Sequence, residues 1–153
     1  MRNESIEQTR TANNGLPYGM TITVELPYER AIERVREALG AEGFGVLTEI
    51  DVKATLEKKL DVDFRPYAIL GACNPSFAHR ALTAERNIGL LLPCNVVVYA
   101  ADKNGESVVA AVDPELSLSR VGNKTLAPLA AEVKARLQRV LDAVSAESSV
   151  ANA

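Results

Sequence analysis

The sequence predicts an α+β domain: a largely antiparallel five-stranded sheet with helices packed on one face, in the order β-α-β-α-β-α-β-β-α. Three observations carry the prediction. Tyr18 to Leu26 alternates cleanly, with Met20, Ile22, Val24 and Leu26 on one face and Thr21, Thr23 and Glu25 on the other, which is the pattern of a strand with one covered face. Thr125 to Val144 carries an unbroken apolar stripe through Leu126, Leu129, Val133, Leu137, Val140, Leu141 and Val144, the pattern of a long amphipathic helix. Between two apolar runs lies Lys103-Asn104-Gly105, and Asn-Gly accepts the positive φ that a tight hairpin turn requires. A parallel doubly wound fold needs apolar strands throughout and a glycine-rich ligand loop, and neither is evident.

The remaining elements follow in chain order. Residues 1–17 are polar, with Asn13-Asn14-Gly15 as a breaker, and read as a disordered tail before a single domain over 18–145. Pro27 opens a first helix in which Tyr28, Ala31, Ile32, Val35, Ala38 and Leu39 share one face, and Gly40 and Gly43 stop it. Phe44 to Ile50 is a second strand. Asp51 caps a short helix to Leu60 with Val52, Leu56 and Leu60 aligned. Tyr67 to Ala72 is apolar on both faces, as an interior strand would be. Asn74-Pro75 is a strong helix start, a capping residue followed by proline in the first turn, and the helix runs to about Glu85. Asn87 to Pro93 reads as a loop with an unusual load of apolar residues, Ile88 and Leu90 to Leu92, which implies core packing or a subunit contact. Cys94 to Ala101 and Glu106 to Val112 form the hairpin strands. Asp113-Pro114 ends the second, Leu116 to Asn123 is irregular, and residues 146–153 form a frayed tail.

Composition narrows the function classes. The chain has 153 residues, 47% hydrophobic and 24% charged, enough for one domain with its own core. A net charge of −3 gives no basic field for nucleic acid. No apolar run reaches the roughly 18 residues of a membrane span, and the first residues lack the apolar core of a signal peptide, so no membrane is implied and a cytoplasmic protein is expected. In that reducing compartment Cys73 and Cys94 are expected as thiols.

Several short motifs recur in order: Gly43-Phe44-Gly45-Val46 with Glu49-Ile50-Asp51, Gly71-Ala72-Cys73-Asn74-Pro75, Ile88 to Tyr99 with its Leu92-Pro93, and Val112-Asp113-Pro114. Together they resemble the domain of unknown function family 302, an uncharacterised bacterial family, over roughly Met20 to Val144. The resemblance implies a compact α+β domain, frequent self-association as a homodimer, and no established activity. Many members carry glycine just before Asn-Pro where this chain has Cys73, so a role for Cys73 would belong to a subgroup.

Chemistry concentrates between Gly71 and Cys94. A thiolate at Cys73, beside the positive end of the Asn74 helix, would be favoured, and so would an anionic ligand. The plainer alternative is a small apolar residue at a strand end followed by a cap. Cys73, His79 and Cys94 offer a three-ligand set for zinc or copper, with Glu85 or water as a fourth ligand, although the spacing Cys-x5-His-x14-Cys matches no standard finger. A heme axial role for His79 or Cys73 is not required by any spacing. Glu49 and Asp51 suit capping better than acid–base work, and Tyr67 and Tyr99 read as strand residues. Three readings remain: a binding module for a small anionic or apolar ligand, using Cys73, Asn74, His79, Pro93 and Cys94; a homodimeric scaffold or sensor; and a thiol-dependent redox or metal protein. The sequence names no cofactor and does not decide whether the chain is an enzyme.

Overall fold

The computed structural model describes residues 16–151. Its strands are β1 (Gly19–Val24), β2 (Gly45–Asp51), β3 (Tyr67–Cys73), β4 (Cys94–Ala100) and β5 (Ser107–Val112). They form one antiparallel sheet in the order β1-β5-β4-β3-β2. The helices are α1 (Tyr28–Ala41), α2 (Val52–Leu60), α3 (Pro75–Ala84), α4 (Pro114–Ser119) and α5 (Ala127–Ala151). Short 3-10 segments lie at Arg86–Leu91 and Lys124–Leu126. The antiparallel α+β architecture is the one the alternation and the hairpin predict. β3 is interior as its apolar faces suggest, but β4 holds the centre.

One face of the sheet makes the core. Met20 and Val24, Val109 and Ala111, Val96 and Val98, and Ala68, Leu70 and Ala72 point to that side and are buried. Against them pack Ala31, Val35, Ala38 and Leu39 of α1 and Leu129, Val133, Leu137, Leu141 and Val144 of α5, so both predicted stripes are buried. Every second residue faces away. Register then sets Thr21, Ala110, Val97, Ile69 and Ile50 side by side across all five strands on the other face.

Four local expectations are revised. The stretch read as a loop, Asn87 to Pro93, is mostly a 3-10 helix; it buries Ile88 at 1% exposure but leaves Leu90 88% exposed. Leu116 to Asn123 is not irregular throughout, because Asp113 accepts hydrogen bonds from the N–H groups of Glu115 and Leu116 and starts α4. The last helix begins two residues later than Thr125, after the turn capped by Asn123, and continues past Ser145 to Ala151 where fraying is expected. Residues 1–15 of the predicted tail, and 152–153, lie outside the described residues. In α2, Asp51 accepts from Ala54 N–H as predicted, yet the Val52-Leu56-Leu60 stripe buries nothing and Leu60 stays 64% exposed.

Candidate functional site

The site forms where β3 ends and β4 begins. β3 runs into Asn74, whose Oδ1 accepts a hydrogen bond from Phe77 N–H at 3.4 Å and caps α3. Pro75 follows in the first turn, where a missing N–H costs nothing. After α3 and the 3-10 segment, the chain returns through a cis Leu92–Pro93 peptide into Cys94. Gly71 makes room for that return. A Cβ at position 71 would lie 2.8 Å from Pro93 Cγ and closer still to Thr48 Oγ1.

A cavity of about 290 Å³ opens between these elements. Cys73, Asn74, Pro93 and Cys94 all line it. Buried Ala72, Leu129 and Val133 close its inner side, Phe77, Ala81 and Leu92 form its walls, and the partly exposed Leu47 and Leu82 stand at its opening. No lining residue carries a charge. A roomier depression of about 390 Å³ lies between α4 and the start of α5, with Glu115 and Lys124 among its lining residues, but it holds none of the residues singled out by the sequence.

Electrostatics bears on Cys94. Burial, with Cys73 nearby, pushes the Cys94 thiol up to about 11, so Cys94 is a neutral thiol at physiological pH. Both cysteines are free. Arg136 and Arg80 carry their guanidinium carbons 5.2 and 5.6 Å from the Phe77 ring centre. Arg136 is also held by the Glu42 carbonyl at 2.9 Å and by Glu132 at 3.3 Å. Neither arginine lines the cavity.

His79 does not join the site. It is exposed on another side of α3, in a shallow groove with Arg80, Thr83 and Asn123. Among the described residues no three of His, Cys, Asp and Glu converge to hold a metal, so Cys73, His79, Cys94 and Glu85 do not form the ligand set their spacing suggested. Glu85 instead accepts a hydrogen bond from the Asn123 amide. Asp113 is likewise engaged, capping α4 and bonding Lys134 Nζ at 3.0 Å. Glu49 pairs with Arg36 rather than with Asp51. Tyr67 and Tyr99 stack at 5.0 Å on the outer sheet face, away from the cavity. Sequence reasoning missed the helical half of the lining. Phe77, Ala81 and Leu82 looked like an ordinary amphipathic face, and Leu118, Leu129 and Val133 come from distant segments.

No functionally curated protein matches the chain. A crystal structure described as an uncharacterized conserved protein DUF302 from Bacillus stearothermophilus superposes with a TM-score of 0.77 at 34% identity, covering 84% of this chain and 99% of that one. The model of the family described as Domain of unknown function DUF302 matches residues 20–144, which span β2 to β5, all of β1 but Gly19, the cavity and most of α5, and the chain belongs to that family.

Proposed function

We propose that the protein is a small-ligand-binding module whose ligand occupies the cavity beside Asn74. One observation carries the reading: Cys73, Asn74, Pro93 and Cys94, from two strand ends and a helix start, line one uncharged cavity of about 290 Å³. That volume is at the small end for ligand sites. A site of neutral thiol and apolar walls supports binding without turnover, and a cytoplasmic location is part of the proposal.

The test uses the neutral dye 1-aminonaphthalene, about the size the cavity admits, whose emission shifts to the blue in apolar surroundings. Wild-type protein is expected to bind it saturably. Ala78→Phe, at a half-buried lining position, is expected to abolish binding while the far-ultraviolet circular dichroism stays unchanged. Dye binding equal in both proteins would sink the reading.

A second reading, self-association as a homodimer, is favoured by a different observation. The three middle rows of the outer sheet face bear no charged residue: Gly19-Val112-Asn95-Gly71-Thr48, Thr21-Ala110-Val97-Ile69-Ile50, and Thr23-Val108-Tyr99-Tyr67. Solvated antiparallel faces are normally polar. The thiol-redox and metal readings have less to support them, since Cys94 is held neutral and His79 does not line the cavity.

A further inference from the structure

The nature of the lining narrows what the cavity accepts, and this step rests on the binding reading above. Asn74 is the one lining residue with a side-chain amide, but its Oδ1 is committed to Phe77 N–H and its Nδ2 lies on the side of Gly43, which does not line the cavity. What the cavity presents is therefore a surface of Phe, Leu, Ala, Pro and thiol.

A carboxylate or phosphate would fare badly there. Transferring an ionised group out of water costs several kcal/mol unless a charge partner meets it. The cations over the Phe77 ring, Arg136 and Arg80, do not line the space; Arg136 donates to Glu42 and Glu132, and its buried Nε, without a partner among the described residues, is no part of the lining. Cys94, held protonated, adds no charge. The opening is framed by Leu47 and Leu82, 67% and 44% exposed, so the entry is apolar too. In size, 290 Å³ corresponds to roughly ten water volumes, or a compact molecule of about ten heavy atoms.

We infer that the ligand is an uncharged, hydrocarbon-rich molecule of about ten heavy atoms. Anionic ligands, which the helix start alone suggested, are excluded by the uncharged lining.

Three probes of matched length separate the classes: 2-nonanone, which only accepts; 1-nonanol, which accepts and donates; and nonanoate, which is charged at pH 7. By titration calorimetry the ketone and alcohol are expected to bind at least about tenfold more tightly than nonanoate. Nonanoate binding as tightly as the ketone overturns the neutral class while leaving the cavity as a site. If no probe binds, or Ala78→Phe leaves all three unchanged, the binding reading itself fails. Leu82→Trp, at the partly exposed rim, repeats the plug if Ala78→Phe does not fold.

Discussion

Cys94 lies beside Cys73 at the cavity. Cys94 follows Pro93 into β4 opposite Ala72, and burial removes the water that would stabilise its thiolate. A thiol with a pKa of about 11 is only about 0.1% ionised at pH 8. The Cys73→Ser variant, with Cys94 as its sole thiol, is therefore expected to react with iodoacetamide at least about tenfold more slowly at pH 8 than a small free thiol, and to speed up steeply towards pH 11. Mass spectrometry of timed samples reads this directly. Fast alkylation at pH 8 would contradict the burial of Cys94 and the neutrality of the cavity. The sign for stability follows from the same shift. The folded-state pKa is raised above the ordinary 9.0, so the stability from burying this thiol is intact below pH 9 and is lost as the pH rises through 11.

At the scale of elements, α5 depends on partners far away in the chain. Arg30 of α1 grips Glu147 through two hydrogen bonds, Nε to Oε2 at 2.6 Å and Nη2 to Oε1 at 2.7 Å, and Arg34 adds a contact at 3.1 Å. Ser148 Oγ accepts from Glu25 N–H at 2.8 Å. These contacts hold the turns that the small polar residues after Ser145 would otherwise fray. The Arg30 hydrogen bond holds the Glu147 carboxyl below the ordinary value of 4.5. Its stabilisation is thus present above pH 4.5 and is lost as the pH falls through the lowered value. Amide protection factors over residues 140–148, with the intrinsic exchange rate divided out, are expected to fall below pH 4.5 in wild type and to be low and flat with pH in Glu147→Gln. Matching protection in the two proteins would show that the pair does not secure the helix end. The case also shows what is legible in a sequence. A cap is local, so Asn74-Pro75 and Asp51 announced their helices. Asp113-Pro114 has the same grammar, but after a strand it also suits a strand end, and only the hydrogen bonds to Glu115 and Leu116 decide between them. Glu147 meets Arg30 across 117 residues, and no local pattern encodes that.

For the whole molecule, periodicity was enough for the sheet, its antiparallel sense and the two buried helix faces, because alternation and the 3.6-residue repeat are imposed by the core. The cavity was half legible. Its strand-end residues stood out by chemistry, whereas the apolar wall from α3, α4 and α5 resembles any core, and His79 was drawn in only because histidine is rare. The outer sheet face was hidden for another reason. β3, β4 and β5 are apolar on both sides, a pattern that shows a strand is interior without saying what covers its second face. Strands spaced about 4.8 Å apart and outward positions about 6.6 Å apart make the three uncharged rows on the order of 500 Å² a side. Two copies stacked on that face would hide roughly 1,000 Å², the lower bound for a specific interface. The expected dimer is therefore weak: monomer below about 1 μM and dimer approaching 1 mM, measured by sedimentation velocity. Val97 sits at the centre of the middle row, and Val97→Asp sets like charges against each other across a two-fold axis. The variant is expected to stay monomeric throughout that range while melting, at low concentration, as wild type does, since Val97 faces away from the core. A wild type that remains monomeric at the highest concentration, or a Val97→Asp protein that pairs equally well, would leave this face as solvated surface.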